Sequence, residues 1–182
     1  MTTRCDWAKS ELEQAYHDQE WGKPVHEDHK LFEMLVLESM QAGLSWSTIL
    51  KKRATMHAAF DQFDYHKIAL YDEVKIEQLL TDPGIIRNRL KVTAMINNAQ
   101  RFMAIQETYG SFDHFIWDLV DQQVIDNQWQ TITEIPAATE LSDRIAKELK
   151  KAGFKFLGTT SVYAFLQAIG IVNDHLVSCD FK

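Results

Sequence analysis

An all-α fold is predicted for this chain, on three observations. Apolar residues recur at helical spacing along most of its length, whereas the strict alternation typical of strands is scarce. Only three prolines and seven glycines interrupt the 182 residues. Hydrophobic residues make up 46% and charged residues 25%, an ordinary globular composition that excludes a disordered or low-complexity chain. Because no internal repeat and no long linker is evident, we expect a single domain over residues 1–182.

Capping residues and glycine stops divide the chain into elements. Asp28 is the expected N-cap of the first predicted helix, which Gly43 ends, and Ser45 and Ser111 are expected to begin later helices. The other predicted helices start at residue 64 or cover residues 74–80, 87–109, 142–151 and 159–169, and glycines stop the last two.

The longest predicted helix, 87–109, has an apolar face expected to lie in the core. Its members are Leu90, Ala94, Ile96, Ala99 and Met103. The stretch 121–138 is the least regular part of the chain, and we expect a short irregular or extended segment there.

The net charge of −7 argues against a non-specific nucleic-acid binder. Basic residues nevertheless cluster in segments 51–53, 81–101 and 143–156. These clusters either face a polyanion or form solvated helix faces, and composition leaves both readings open. No apolar run approaches the ~18 residues of a membrane span, and the N-terminus lacks a signal-peptide core. We therefore expect a cytoplasmic protein, and a monomer because no coiled-coil seam is evident.

The only two cysteines, Cys5 and Cys179, lie at opposite ends of the chain, and no disulfide is expected between them in a reducing compartment. His17 follows Cys5 after eleven residues, and His175 precedes Cys179 with three between, a spacing that fits one helical turn. Two thiolates and two imidazoles form the closed tetrahedral set typical of structural zinc. The alternative is two buried cysteines that act as small hydrophobic residues.

A glycine-bearing turn, Gly153-Phe-Lys-Phe-Leu-Gly-Thr-Thr160, lies between two predicted helices and near Lys147, Lys150 and Lys151. Backbone N–H groups of such a turn, with the N-terminus of the next helix, can bind a phosphate of DNA. The alternative is an ordinary helix–helix turn with buried aromatic residues.

Aromatic residues and one carboxylate cluster in the first quarter of the sequence: Trp7, Tyr16, Trp21, Glu38 and Trp46. Aromatic rings can sandwich a flat base, and a carboxylate can accept a hydrogen bond from its exocyclic amino group. The alternative is a set of core aromatics beside a solvated glutamate, and composition alone favours that alternative.

Nearly the whole chain, residues 3–179, resembles the 3-methyladenine DNA glycosylase I family. The resemblance is carried by Tyr16-His-Asp-x-Glu-Trp-Gly22, Gln41-Ala-Gly-Leu-Ser-Trp46, Gly153-Phe-Lys-Phe-x-Gly-Thr-Thr160 and Val172-Asn-Asp-His175, among shorter matches. It implies a helix-hairpin-helix glycosylase fold with two helical lobes, one of which carries a zinc site that ties the two chain ends together.

The resemblance also implies roles for individual residues. The zinc ligands fall on Cys5, His17, His175 and Cys179. The base pocket falls on Glu38, Tyr16 and Trp46, with Trp7 and Trp21 beside them. DNA contacts fall on the hairpin, at Gly153, Lys155, Gly158, Thr159 and Thr160, and on a loop that fills the gap in the base stack, at Gln41, Gly43 and Leu44.

The implied activity is excision of 3-methyladenine from alkylated double-stranded DNA, in base excision repair. The catalytic aspartate common in the wider superfamily falls on Asn173, and the lysine of its lyases falls on Thr160. The resemblance therefore implies a hydrolase without lyase activity, in which Glu38 either recognises the base or positions water. A zinc-stabilised DNA-binding module without catalysis is the alternative reading.

Overall fold

The computed structural model describes residues 1–182 and is mostly helical, as predicted. Its α-helices are α1 Glu11–Gln19, α2 Asp28–Gln41, α3 Trp46–Ala59, α4 Tyr65–Ile68, α5 Glu73–Leu80, α6 Arg89–Tyr109, α7 Phe112–Asp118, α8 Glu140–Lys151 and α9 Thr159–Ala168. Short 3-10 turns cover Asp61–Phe63 and Ile132–Glu134. The strands β1 Ile125–Asp126 and β2 Val172–Asn173 pair in parallel, so the irregular stretch 121–138 does contain an extended segment.

Helix caps were predicted correctly at two positions and wrongly at one. The hydroxyls of Ser45 and Ser111 accept hydrogen bonds at the starts of α3 and α7. The N-cap of α2, however, is Glu27 rather than Asp28. The Asp28 carboxylate instead accepts hydrogen bonds from the backbone of Phe112 and of Asp113, at 3.0 and 2.8 Å. It therefore joins α2 to the N-terminus of α7, a contact that local sequence does not reveal.

Helix α1 was not predicted, although its start carries a local signal. Ser10 and Glu13 form a capping box, in which each side chain bonds the backbone of the other residue. The helix has few apolar residues, so the capping pair and the acidic residues of the first turn, Glu11 and Glu13, are the main sequence features that mark it.

Helix α2 forms the centre of the molecule. Its residues from Leu31 to Met40 are all buried, and it packs against α3, α6, α7 and α9. The apolar face predicted for the longest helix is wrong at Leu90, which is 68% exposed, because the buried face of α6 begins at the next two residues, Lys91 and Val92. The buried positions of α6 include Val92, Met95 and Phe102.

The two ends of the chain lie side by side. The backbone N–H of Gly22 donates to Gln167 and that of Val25 to Ile169, both at 2.9 Å. Gly170 has a φ of +74°, and a Cβ there would lie 2.1 Å from the carbonyl carbon of Lys23. A side chain at this position is therefore excluded by both the backbone conformation and the available space. None of the helices has the length and apolar character needed to cross a membrane.

Candidate functional site

A cavity of about 320 Å³ lies where α1, α2, α3 and α9 meet. Its lining includes all five members of the predicted aromatic and carboxylate cluster: Trp7, Tyr16, Trp21, Glu38 and Trp46. Gln41, predicted to contact DNA, also lines it. These residues come from different elements, so the tertiary fold brings them together. The alternative of a solvated glutamate is wrong, because Glu38 is 4% exposed.

The aromatic walls are inclined to one another rather than stacked. The rings of Tyr16 and Trp46 lie 5.2 Å apart at 55°, and those of Trp7 and Trp21 lie 5.1 Å apart at 76°. Trp21 stacks on His17 at 5.8 Å and 25°, so one of its faces is already covered. Trp46 has no stacked aromatic partner and is only half-buried, so a flat ligand in the cavity can pack against its ring.

Four buried side-chain atoms have no hydrogen-bond partner, and all four belong to residues that line this cavity. They are Trp7 Nε1, Tyr16 OH, Glu38 Oε2 and Trp46 Nε1. Buried polar groups in folded proteins are almost always paired, because an unpaired one costs about 1–3 kcal/mol. Three donors and a carboxyl group left unpaired in one cavity indicate a site built for a polar ligand.

Burial determines the protonation of Glu38 and Tyr16, two of the titratable residues that line the cavity. It raises the pKa of Glu38 to about 8, which favours the neutral carboxyl group at pH 7. Burial also raises the pKa of Tyr16 well above its ordinary value, with the nearby Glu38 charge adding to this. A cation in the cavity would favour the ionised form of Glu38, because an opposite charge lowers the pKa of a carboxyl group.

An ion-pair network fixes the helices behind the cavity. The Arg53 guanidinium donates to both oxygens of Glu20, at 2.8 and 3.0 Å, and to Glu33 at 2.8 Å. Burial alone would raise the pKa of Glu20, but the hydrogen bonds and positive charges of Arg53 and Lys30 together outweigh it and lower that pKa. Segment 51–53, read from the sequence as a basic cluster, therefore includes an arginine that joins α3 to α2 and to the end of α1.

The opposite wall is held by a buried aspartate that the sequence analysis did not single out. The Asp174 carboxylate accepts hydrogen bonds from Asn127 and Trp129, both at 2.7 Å, from Gln167 at 2.8 Å, and from Tyr163. Asp174 thereby fixes Gln167, which lines the cavity, and the irregular segment that supplies the remaining apolar wall. Long-range contacts of this kind leave no local pattern in the sequence.

Beside the cavity, Cys5, His17 and Cys179 form a buried cluster that could hold a metal ion. One ligand atom from each lies within 4.8 Å of the others, and both cysteines are free thiols. The Asp18 carboxylate is 2.7 Å from His17 Nδ1, which leaves Nε2 directed at the thiols, 3.6 Å from Cys179 Sγ. A carboxylate behind a histidine is the usual support of a metal ligand, so these residues fit a metal centre.

His175, predicted as the fourth ligand, lies next to this cluster but outside the set of atoms within 4.8 Å. Its Nδ1 is 2.9 Å from the Asn173 side-chain oxygen, and its Nε2 is 3.4 Å from the His17 carbonyl oxygen. The expected helical turn from His175 to Cys179 is wrong, because this segment is irregular. A Cβ at Gly22 would lie 2.9 Å from His175 Nδ1, so the glycine leaves room for this ring.

A groove of about 210 Å³ continues from the cavity, with which it shares Glu38, Gln41 and Ala164. Its rim is formed by the loop after α2, with Gly43 and Leu44, and by the start of α9, with Thr160. Leu44 is 40% exposed although it is apolar. Three residues predicted to contact DNA, Gln41, Gly43 and Leu44, therefore lie at the mouth of the cavity.

The predicted hairpin turn joins α8 to α9 and borders an open hollow of about 680 Å³. Lys147, Lys150 and Lys155 line this hollow. Gly153 has a φ of +90°, which a side chain would disfavour, whereas Gly158 has an ordinary φ of −73° with open space around it. The hydroxyl of Thr159 is directed at Ser142 of α8, at 2.8 Å.

The sequence model of the methyladenine glycosylase family matches residues 7–182. The chain belongs to this family.

Two curated members of the methyladenine glycosylase family are similar to it over nearly their whole lengths. DNA-3-methyladenine glycosylase 1 of Escherichia coli (strain K12) is 49% identical over 177 residues, 97% of this chain and 95% of that protein. DNA-3-methyladenine glycosylase of Haemophilus influenzae is 44% identical over 183 residues, 100% of this chain and 99% of that protein. The chain is accordingly a glycosylase enzyme.

The fold agrees with a solved structure in the methyladenine glycosylase family. A tyrosine-to-phenylalanine variant of 3-methyladenine DNA glycosylase I, in complex with 3-methyladenine, superposes with a TM-score of 0.96 at 37% identity. The match covers 100% of this chain and 98% of that one.

Proposed function

We propose that this methyladenine glycosylase excises 3-methyladenine from alkylated DNA by hydrolysis of the N-glycosidic bond. The observation that carries the proposal is the set of four unpaired buried polar atoms in one aromatic cavity, contributed by Trp7, Tyr16, Glu38 and Trp46. A relative bound to 3-methyladenine supports the choice of ligand. Because the target atom is inaccessible inside a duplex, the damaged nucleotide must leave the base stack to enter the cavity.

In this proposal the base lies on Trp46 and is held through Glu38. Methylation at N3 gives the adenine in DNA a positive charge, which favours contact with an aromatic face. The same charge would lower the pKa of Glu38 from about 8, so that base binding is accompanied by proton loss. The resulting carboxylate accepts a hydrogen bond from the exocyclic amino group.

Cleavage of the N-glycosidic bond needs little general-acid catalysis, because the cationic base is already a good leaving group. Binding that favours the departing base over the intact nucleotide lowers the barrier. Water then captures the sugar, which has oxocarbenium character. We assign Glu38 mainly to base recognition, with the positioning of that water as the alternative.

Asn173 and Thr160 occupy the positions where the wider superfamily has its catalytic aspartate and the lysine of its lyases. Neither residue supports a different mechanism. The Asn173 side-chain oxygen accepts from the backbone of His175, at 3.1 Å, and also lies against its ring. Thr160 at the groove has no amino group with which to form a Schiff base. We therefore propose a hydrolase without lyase activity, acting in base excision repair.

We place the DNA across the groove and the hairpin hollow. The Gln41–Leu44 loop lies at the cavity mouth, where it could fill the space left by the extruded nucleotide. Lys155 and the other lysines around the hollow supply attraction to the phosphate backbone despite the negative net charge. In this reading Gly153, Gly158, Thr159 and Thr160 form the hairpin of a helix-hairpin-helix fold. We also predict that the protein is a monomer, has a single domain and is located in the cytoplasm. These three predictions are compatible with a DNA substrate.

The metal we assign to the terminal cluster is zinc, held by Cys5, His17 and Cys179, with His175 as the fourth ligand. Zinc would supply a closed structural centre that joins segments separated by almost the whole chain, where the gain from loop closure is greatest. The stacking of Trp21 on His17 connects this centre to the cavity wall.

Release of free methylpurines from N-methylated duplex DNA, followed by chromatography, tests the proposed activity. We expect the wild type to release 3-methyladenine but leave 7-methylguanine in the DNA, and Glu38→Ala to be impaired. A folded, metal-loaded wild type that releases no base would contradict the proposal and favour a non-catalytic DNA-binding module.

A further inference from the structure

Lys91 is a buried lysine with no carboxylate to neutralise it. It lies in the first turn of α6 and is 5% exposed. Burial lowers the pKa of its ammonium group, and no charged neighbour counters this effect. Lysine is rarely buried unless it is paired, because desolvation of the charge is costly. Its position therefore calls for an explanation other than an ion pair.

The Lys91 ammonium holds the end of α2. Its Nζ donates to the Met40 carbonyl at 2.7 Å and to the Ala42 carbonyl at 2.6 Å. Carbonyls at a helix C-terminus lack partners within the helix and carry partial negative charge, so a cation there is stabilising. The two acceptors flank Gln41, whose side chain lines both the cavity and the groove.

The loop that Lys91 holds is otherwise weakly fixed. Gly43 has a φ of +78° with no atom within 4 Å of the place where a Cβ would lie, and Leu44 is partly exposed. The backbone N–H of Leu44 donates to the Gln41 carbonyl at 2.6 Å. The position of Gly43 and Leu44 thus depends on the backbone that the Lys91 ammonium anchors.

We propose that Lys91 is a positioning residue, whose ammonium group fixes the Gln41–Leu44 loop at the mouth of the cavity so that a damaged nucleotide can be held outside the duplex. The inference rests on the proposed function, and it adds a residue that touches neither the base nor the cavity. Lys91 serves the extrusion of the nucleotide, whereas Trp46 and Glu38 serve binding of the base.

Lys91→Met tests this role, because it keeps most of the buried stem and removes the donors. We expect excision of 3-methyladenine from duplex DNA to slow by about 10-fold to 100-fold, the size of effect that a misplaced positioning element produces. Affinity for free 3-methyladenine, followed by tryptophan fluorescence, should change less than about twofold, since the cavity is intact. Lys91→Arg, which retains donors and charge, should recover part of the rate.

Val92→Ala is the matched control for a loss of stability. Val92 is the next residue of α6 and fully buried, so its truncation destabilises the core and leaves the Lys91 hydrogen bonds in place. Equal effects of Lys91→Met and Val92→Ala on excision, or an unchanged duplex rate in Lys91→Met, would overturn the positioning role.

Hydrogen exchange separates this inference from the proposed activity. In the free protein, the amides of Gly43 and Leu44 should exchange faster in Lys91→Met than in Val92→Ala or the wild type. Faster exchange limited to this loop supports the positioning role of Lys91 whether or not the wild type releases a base. A wild type that releases no base would contradict only the proposed function. Unchanged exchange in a folded Lys91→Met protein overturns the positioning role.

Discussion

The ring of Tyr16 lies 5.2 Å from the ring of Trp46, and the Tyr16 hydroxyl and the Trp46 ring nitrogen are both buried without partners. The two residues belong to α1 and α3, which the guanidinium of Arg53 holds together through Glu20. In an ordinary protein core, the Tyr16 hydroxyl and the Trp46 ring nitrogen would both have hydrogen-bond partners. The structure thus keeps unfavourable polar burial in one place, where a ligand can relieve it.

Glu38→Gln should remove a pH-dependent loss of stability. The pKa of Glu38 is about 8 in the folded protein and near 4.5 when the chain is unfolded. Between these values the unfolded chain releases a proton that the folded protein keeps, so the wild type loses stability as pH rises. The variant cannot ionise at this position. Its free energy of unfolding should therefore rise relative to that of the wild type by a few kcal/mol between pH 5 and pH 9.

Denaturant unfolding at pH 5, 7 and 9 measures this difference. Glu107→Gln, at an exposed position of α6, is the control and should show no such trend. A constant difference between Glu38→Gln and the wild type across these pH values would show that Glu38 is not protonated in the empty cavity.

The same Glu38→Gln variant distinguishes base recognition from positioning of water. Recognition predicts that affinity for free 3-methyladenine and the excision rate fall together. If binding is retained while single-turnover excision collapses, the carboxylate acts on the water instead.

Tyr16→Phe should have opposite effects on stability and binding. Removal of the unpaired hydroxyl relieves a buried polar group, so the free energy of unfolding should stay the same or rise by up to about 1 kcal/mol. Loss of one hydrogen bond to the base should weaken binding of 3-methyladenine by about 1 kcal/mol, close to fivefold. Tyr163→Phe is the contrast, because its hydroxyl bonds Asp174 and its loss should destabilise the protein. A stability loss in Tyr16→Phe equal to that in Tyr163→Phe would show that the Tyr16 hydroxyl is satisfied in the folded state.

Removal of the metal should weaken the contact between the two ends of the chain. We expect about one zinc per chain by elemental analysis, and a lower thermal midpoint after treatment with a strong chelator. Cys5→Ser should lose both the metal and the chelator effect, whereas His57→Gln, at an exposed position outside the cluster, should keep both. His175→Gln tests the fourth ligand: metal content equal to the wild type would limit the site to the other three residues. Protein purified without metal and indifferent to chelator would contradict the zinc assignment.

Asn98 should affect DNA binding without contacting DNA. Its side chain accepts from the backbone N–H of Lys155 and donates to the Lys155 carbonyl, both at 2.9 Å, and so fixes the hairpin to α6. Asn98→Leu should weaken binding to undamaged duplex DNA while affinity for free 3-methyladenine is retained. Lys155→Gln should reduce the salt dependence of DNA binding by about one phosphate contact, and Lys67→Gln on α4 should not. Unchanged DNA affinity in both Asn98→Leu and Lys155→Gln would show that the DNA binds elsewhere on the protein.

Much of the fold could be predicted locally. Ser45 and Ser111 cap helices because a short hydroxyl side chain satisfies the first free N–H groups wherever the chain runs. Gly43, Gly153 and Gly170 end helices because each adopts a positive φ. The wrong predictions lie where local signals are weak or distant contacts decide: α1 has little apolar pattern, Leu90 turns outward, and Asp28 caps another helix.

By itself the sequence determined which chemical groups the protein possesses and most of its helices, because caps, stops and periodicity act over a few residues. Only the tertiary structure decided where those groups meet. It brought Glu38 into a cavity with aromatics from three other segments, and it placed the Lys91 ammonium on carbonyls about fifty residues earlier in the chain. Burial at these meeting points, rather than residue type, gives the Glu38 carboxyl its raised pKa and leaves its oxygen unpaired for a ligand.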